Sequence, residues 1–195
     1  MLLGRITMTD ALAHHRDKII PYRMKTTSIM NFALRHVERW PNARRMTIYF
    51  DDELFIEGLS TGFTNAAIES GVINCRALLE FLGLQVTSQN RLAQRLKPRK
   101  ESDVGIEHYN LPMVSASDVI AKYPGDAAEA ESALVSIITI ANKFLSHNTT
   151  SVEIEPPQLH LIEIASRGVP ALVTSYFYTR LGLPAPDYKI KFRSK

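Results

Sequence analysis

A chain of 195 residues with 45% hydrophobic content has the length and composition of one domain, 1–195, able to bury a core. Its single cysteine, Cys75, excludes an internal disulfide. Its longest apolar run, 133–141, is broken by Ser136 and Thr139 and is far too short to span a bilayer, so a cytoplasmic protein with no membrane partner is expected. The net charge of +3 is local: residues 91–100, RLAQRLKPRK, hold five basic and no acidic side chains, and the remainder is slightly acidic.

Thr9 and Asp10 can cap a first helix through ALAHHRDKII that Pro21 should stop, and neighbouring His14 and His15 would point to different sides of it. A second amphipathic helix is expected from Thr26 or Thr27 to Trp40, with Ile29, Phe32, Ala33, Val37 and Trp40 on one side and Arg35, His36 and Arg39 on the other. Residues 46–50, MTIYF, have strand-like composition. Yet Met46, Phe50, Leu54 and Ile56 also suit a helix continuing through DDELFIEGL, and helix is favoured because a lone strand has no mate. Asp51, Asp52, Glu53 and Glu57 form an acidic cluster of a kind that can hold a divalent ion, although consecutive carboxylates more commonly just face water.

The strongest pattern is 64–84. Thr64 is an N-cap candidate and Gly83 a terminator; Ile68, Gly71, Val72, Cys75, Leu78, Leu79 and Leu82 share a broad apolar face. Beside that face project Asn65, Glu69, Arg76 and Glu80. Residues 86–105 read as a short helix and a basic loop containing Arg95, Arg99 and Lys100. A short helix follows from Ser115 or Ser117. Asp126 then caps a second long helix to His147, with Ala130, Ala133, Leu134, Ile137, Ile138, Ala141, Phe144 and Leu145 on its apolar face. Its alanines suit packing on the Gly71 region. Pro156 and Pro157 open a last helical segment interrupted by Gly168 and Pro170, and another helix ends near Gly182. The basic tail PDYKIKFRSK alternates Tyr188, Ile190 and Phe192 with Lys189, Lys191 and Arg193, as an edge strand, a frayed tail or a nucleic-acid arm would. The predicted architecture is an all-α helical bundle around two long central helices, with the basic loop between them.

Glycine-rich phosphate loops, dinucleotide fingerprints, serine nucleophile elbows and paired zinc histidines are absent from the sequence, so no cofactor and no metal are expected. Cys75, on the apolar face with no base beside it, is expected to be an inert buried thiol. The polar groups of the two long helices remain. Lys143 and His147 are one helical turn apart on the same side, and Asn142 lies beyond the opposite edge of the stripe. A neutral histidine beside a cation suits cleavage of an RNA backbone, where one group takes the 2′-hydroxyl proton and cations stabilise the charged phosphate. The structural alternative is that Lys143 and His147 complement the helix dipole while Arg76 and Glu80 form an i,i+4 ion pair.

The combination of Asn74-Cys75-Arg76-Ala77-Leu78-Leu79-Glu80-Phe81-Leu82 with Ala141-Asn142-Lys143-Phe144-Leu145-Ser146-His147-Asn148-Thr149 resembles a group of uncharacterised bacterial helical proteins that is similar to the HEPN superfamily. The resemblance implies a helical bundle that pairs as a homodimer and metal-independent RNase chemistry. His147 matches the family's histidine, but Asn142 stands where active members carry arginine, followed by Lys143, and lysine offers phosphate a point charge in place of a planar fork. The implied site takes His147 and Lys143 as catalytic, and Arg76, Glu80, Asn142, Arg95, Arg99 and Lys100 as binding residues for RNA or a nucleotide. The competing expectation is a non-catalytic interaction module that uses the basic loop to contact a protein partner.

Overall fold

The structure, a computed structural model, describes residues 8–40, 42–146 and 156–190. It is predominantly helical, and the purely all-α expectation is corrected by two small antiparallel hairpins. In chain order come α1 (Met8–His14), a π turn (His15–Ile19), α2 (Ile20–Arg39), β1 (Arg45–Phe50), β2 (Glu53–Leu59), α3 (Ser60–Phe81), β3 (Leu84–Val86), β4 (Leu92–Gln94), a 3-10 turn (Ile106–Tyr109), α4 (Ala116–Ala121), α5 (Ala127–Ser146), α6 (Pro156–Val173) and a second π turn (Thr174–Tyr178). No helix among the described residues is long and apolar enough to cross a membrane.

Pro21 does not stop the first helix. The π turn ahead of it widens the backbone, with the Ile20 amide donating to the His15 carbonyl five residues back, and the chain runs on into α2. In that register the Arg16 carbonyl would need an N–H from Pro21, which has none. The Tyr178 hydroxyl donates to it instead, at 2.8 Å. Thr26 and Thr27, expected as starts, lie inside α2 and return their hydroxyls to the carbonyls of Tyr22 and Arg23.

α3 is buried along the predicted stripe, with Val72, Cys75, Leu78, Leu79 and Leu82 fully enclosed. It begins at Ser60, not Thr64, which is buried within it, and it ends as expected at Gly83, whose φ of +90° few other residues adopt. The expected contact of Gly71 with the alanines of α5 is corrected: Gly71 faces Met30 of α2, and a methyl group there would overlap the Met30 side chain. The absent Cβ lets α2 and α3 approach closely, and this pair has the most extensive contact in the fold. α5 still packs on α3 and on α6, burying Ala133, Leu134, Ile137 and Ala141. Asp126 accepts from the Ala128 amide at 3.2 Å, and the Ser115 hydroxyl accepts from the Asp118 amide at 3.1 Å, as the sequence predicts.

Residues 46–50 form a strand where helix was favoured. The mate lies next in sequence: Ile48 faces Ile56 and Met46 faces Gly58, across a turn made by Asp51 and Asp52, both at positive φ. Aspartate tolerates that conformation, which a tight hairpin turn demands. The helix expected after residue 86 is instead the β3–β4 hairpin. α6 starts at Pro156 as anticipated and passes through Gly168 and Pro170 without a break.

Candidate functional site

Part of the predicted seam assembles at the C-terminal end of α3. Arg76 donates to Glu80 at 2.9 Å, an i,i+4 pair inside one chain. Arg99, whose side chain is 8% exposed, donates through Nε to Glu107 at 2.7 Å and through its second nitrogen to the Glu80 and Phe81 carbonyls at 2.6 and 3.2 Å. A guanidinium is thus the cap of α3, satisfying carbonyls a helix end leaves open and opposing the negative end of its dipole. Burial is the largest influence and would raise the Glu107 carboxyl, but the Arg99 hydrogen bond, a backbone hydrogen bond and the charges of Arg99 and His108 together outweigh it and hold the group below the usual range. Gly105 is required beneath this pair, because a Cβ there would collide with both side chains. Arg95 donates to the Lys97 carbonyl at 2.9 Å, Arg91 pairs with Glu131 on α5 at 2.7 Å, and Lys100 is exposed. The basic stretch is therefore largely a set of staples.

Glu80, Arg95 and Arg99 border a polar recess of about 320 Å³ together with His15, Arg23 and Asp103. Its lining holds three arginines and two carboxylates, Glu80 and Asp103, an excess of one positive charge, and Arg99 is paired in addition with Glu107. Neither Asn142 nor Lys143 is among the residues that line this recess. Asn142 and Lys143 are exposed in the last turn of α5, and no ion pair joins them to Arg76 or Glu80 among the described residues; His147 lies outside those residues. Phe144, Leu145, Lys191, Phe192 and Arg193 are likewise outside what is described of side chains.

A second concavity, of about 590 Å³, lies between α2, α6 and the segment 188–190. Four cations border it: Arg35 and Arg39 from α2, Arg167 from α6, and Lys189. Phe32, His36, Trp40 and Tyr188 supply aromatic walls. Glu163 is the acidic group seen to pair with these cations among the described residues, 3.8 Å from Arg35 and 2.7 Å from Arg167, and it also accepts from Asn31 at 3.1 Å. No ion pair engages Arg39 or Lys189 among the described residues; Arg39 lies over the Trp40 ring, 4.9 Å from its centroid. The His36 ring packs on Trp40 at 4.4 Å, and its buried Nε2 has no hydrogen-bond partner. The backbone places these groups together. Arg35 and Arg39 are one turn apart on the polar face of α2, and the Ile190 amide bonds the Ser28 hydroxyl at 3.3 Å, which brings Lys189 alongside.

Sequence reading treated α2 as an ordinary amphipathic helix and missed this cleft. The usable signal was Arg35, His36, Arg39 and Trp40 within six residues, combined with the basic alternation of the tail. Cys75 behaves as expected: it is fully buried, donates weakly to the Thr27 hydroxyl at 3.6 Å, and burial pushes its thiol up to about 12, so it is neutral and unreactive. The acidic cluster is dispersed, with Asp51 and Asp52 forming the hairpin turn and Glu57 paired with Arg45 at 2.6 Å; no three metal-ligating side chains converge among the described residues. No protein-family model, curated protein or solved structure matches the chain.

Proposed function

We propose that this protein binds RNA or a nucleotide through phosphate contacts in the cleft between α2 and α6. The observation that carries this reading is the convergence of Arg35, Arg39, Arg167 and Lys189 on one open concavity, where Glu163 is the carboxylate seen to pair with them among the described residues. Three arginines share one carboxylate, which leaves donor forks of the kind that match phosphate oxygens, and an aromatic wall offers faces on which bases stack. The bonding within the chain at the end of α3 supports the structural alternative for Arg76, Glu80 and Arg99. Binding is therefore assigned to the cleft, and those three residues to holding the fold.

The test is a fluorescence-anisotropy titration of a labelled single-stranded RNA across a salt series. Three or four phosphate contacts predict a slope of log K against log salt of about −2 to −3. An affinity that does not change with salt, or the absence of binding, removes the proposal. The HEPN resemblance adds a cleavage reading at the end of α5, favoured by Asn142 and Lys143 both being exposed there. In the same samples, His147→Ala would then abolish RNA cleavage while leaving affinity in the cleft unchanged; a wild-type protein that leaves the RNA intact removes that addition alone.

A further inference from the structure

The β1–β2 hairpin is an arm with an apolar surface and little beneath it. Tyr49, Phe50, Leu54, Phe55, Ile56 and Leu59 are each between 44% and 64% exposed, and β2 is exposed at every position. Large apolar side chains elsewhere in the described chain are buried or isolated, so this concentration is a patch and not ordinary surface scatter. The ladder register explains its form. Ile48 faces Ile56 but Tyr49 faces Leu54, which leaves Phe55 as the extra residue of a bulge, its ring edge-on to Phe50 at 4.6 Å. A two-stranded hairpin has marginal stability in water unless a face is covered.

Between the arm and the helices runs an apolar groove of about 610 Å³, floored by Thr26, Ile29, Phe63 and Ala66 and walled on one side by Met46 and Ile48. Arm and groove are adjacent on the same chain and share one chemistry. We propose that a second copy of this chain occupies the groove: the arm of each copy lies in the groove of the other, related by a two-fold axis. Reciprocal exchange satisfies both surfaces and closes the assembly, whereas one-way insertion would leave an arm and a groove open and build a filament.

The area is adequate. At roughly 200 Å² for a large apolar side chain, half exposed, six such residues offer about 600 Å² per arm. Ile56 and Leu59 also line the groove, so the two arms together supply about 1,200 Å², the threshold of a specific interface, with that part of the groove wall already included. The turn argues against a lipid surface as the occupant. Asp51, Asp52 and Glu53 stand at the tip of the arm, where carboxylates would meet anionic headgroups first.

The experiment is sedimentation equilibrium of the full chain without RNA, which keeps it separate from the phosphate-binding reading. Wild type is expected to be a dimer at concentrations on the order of 10 µM, and Leu54→Asp combined with Phe55→Asp is expected to weaken dimerisation at least about 100-fold, since two arms are altered in each dimer. Both side chains are exposed, so helical circular dichroism should match wild type. Thr47→Asp, at an exposed polar position of the same arm, serves as the control that stays dimeric. A monomeric wild type overturns the proposal, whether or not it co-sediments with anionic vesicles. A dimer that survives the double substitution overturns it equally.

Discussion

His15 shows how much a single side chain's surroundings decide. Its ring lies against Phe81 at 5.5 Å, and Nδ1 is 3.2 Å from the Tyr109 oxygen. Tyr109 spends its proton on the Leu12 carbonyl at 2.8 Å, so the histidine must be the donor in that bond, with its proton on Nδ1. Burial first, then the charges of Arg23, His14 and His108, lower its pKa to about 4. The folded protein therefore binds fewer protons here than the unfolded chain, whose histidine titrates near 6.5. The stability so gained is complete above pH 6.5 and is lost as pH falls from 6.5 to 4, by about 2 kcal/mol once partial exposure is discounted. Urea unfolding of His15→Gln should lack this part of the pH dependence. A slope between pH 4 and 6.5 identical to wild type would contradict the account.

At the scale of elements, the apolar stripes of α3 and α5, the caps at Ser115 and Asp126 and the stop at Gly83 follow from local chemistry and were legible in the sequence. The errors came where a distant residue overrode a local rule. Pro21 reads as a break, and the helix survives because Tyr178, more than 150 positions later, supplies the donor that proline lacks. Periodicity in 46–56 fits a helix, and only the tolerance of Asp51 and Asp52 for positive φ reveals a hairpin. Arg99 reads as a linker charge because the carbonyls it caps lie in α3. The first case is testable. Tyr178 is 4% exposed, so Tyr178→Phe leaves the Arg16 carbonyl without that donor and should cost about 1–3 kcal/mol with the ring contacts to Phe177 retained. Thermal unfolding indistinguishable from wild type would show that the carbonyl finds another partner.

At the scale of the molecule, the close contact of α2 with α3 through Gly71 fixes the core, and α6 packs across α2 so that their polar faces enclose the cationic cleft. The cluster Arg35, His36, Arg39 and Trp40 signals one wall of that cleft but cannot assemble it, because its four cations come from α2, α6 and the segment beyond the second π turn. Arg76, Glu80 and Arg99 of the predicted seam are engaged within the chain, whereas Arg39 and Lys189 have no ion-pair partner among the described residues. Charge balance thus separates two concavities that a list of basic residues would treat alike.

The most direct measurement is the affinity for single-stranded RNA, at low and moderate salt, of wild type and of Arg35→Glu combined with Arg39→Glu. Both side chains are exposed, so the fold should persist. The account predicts that dissociation constants rise at least about 10-fold and that the salt slope flattens by close to the two lost contacts. An unchanged affinity and slope in the folded double variant would place any nucleic-acid binding elsewhere and contradict the assignment of the cleft.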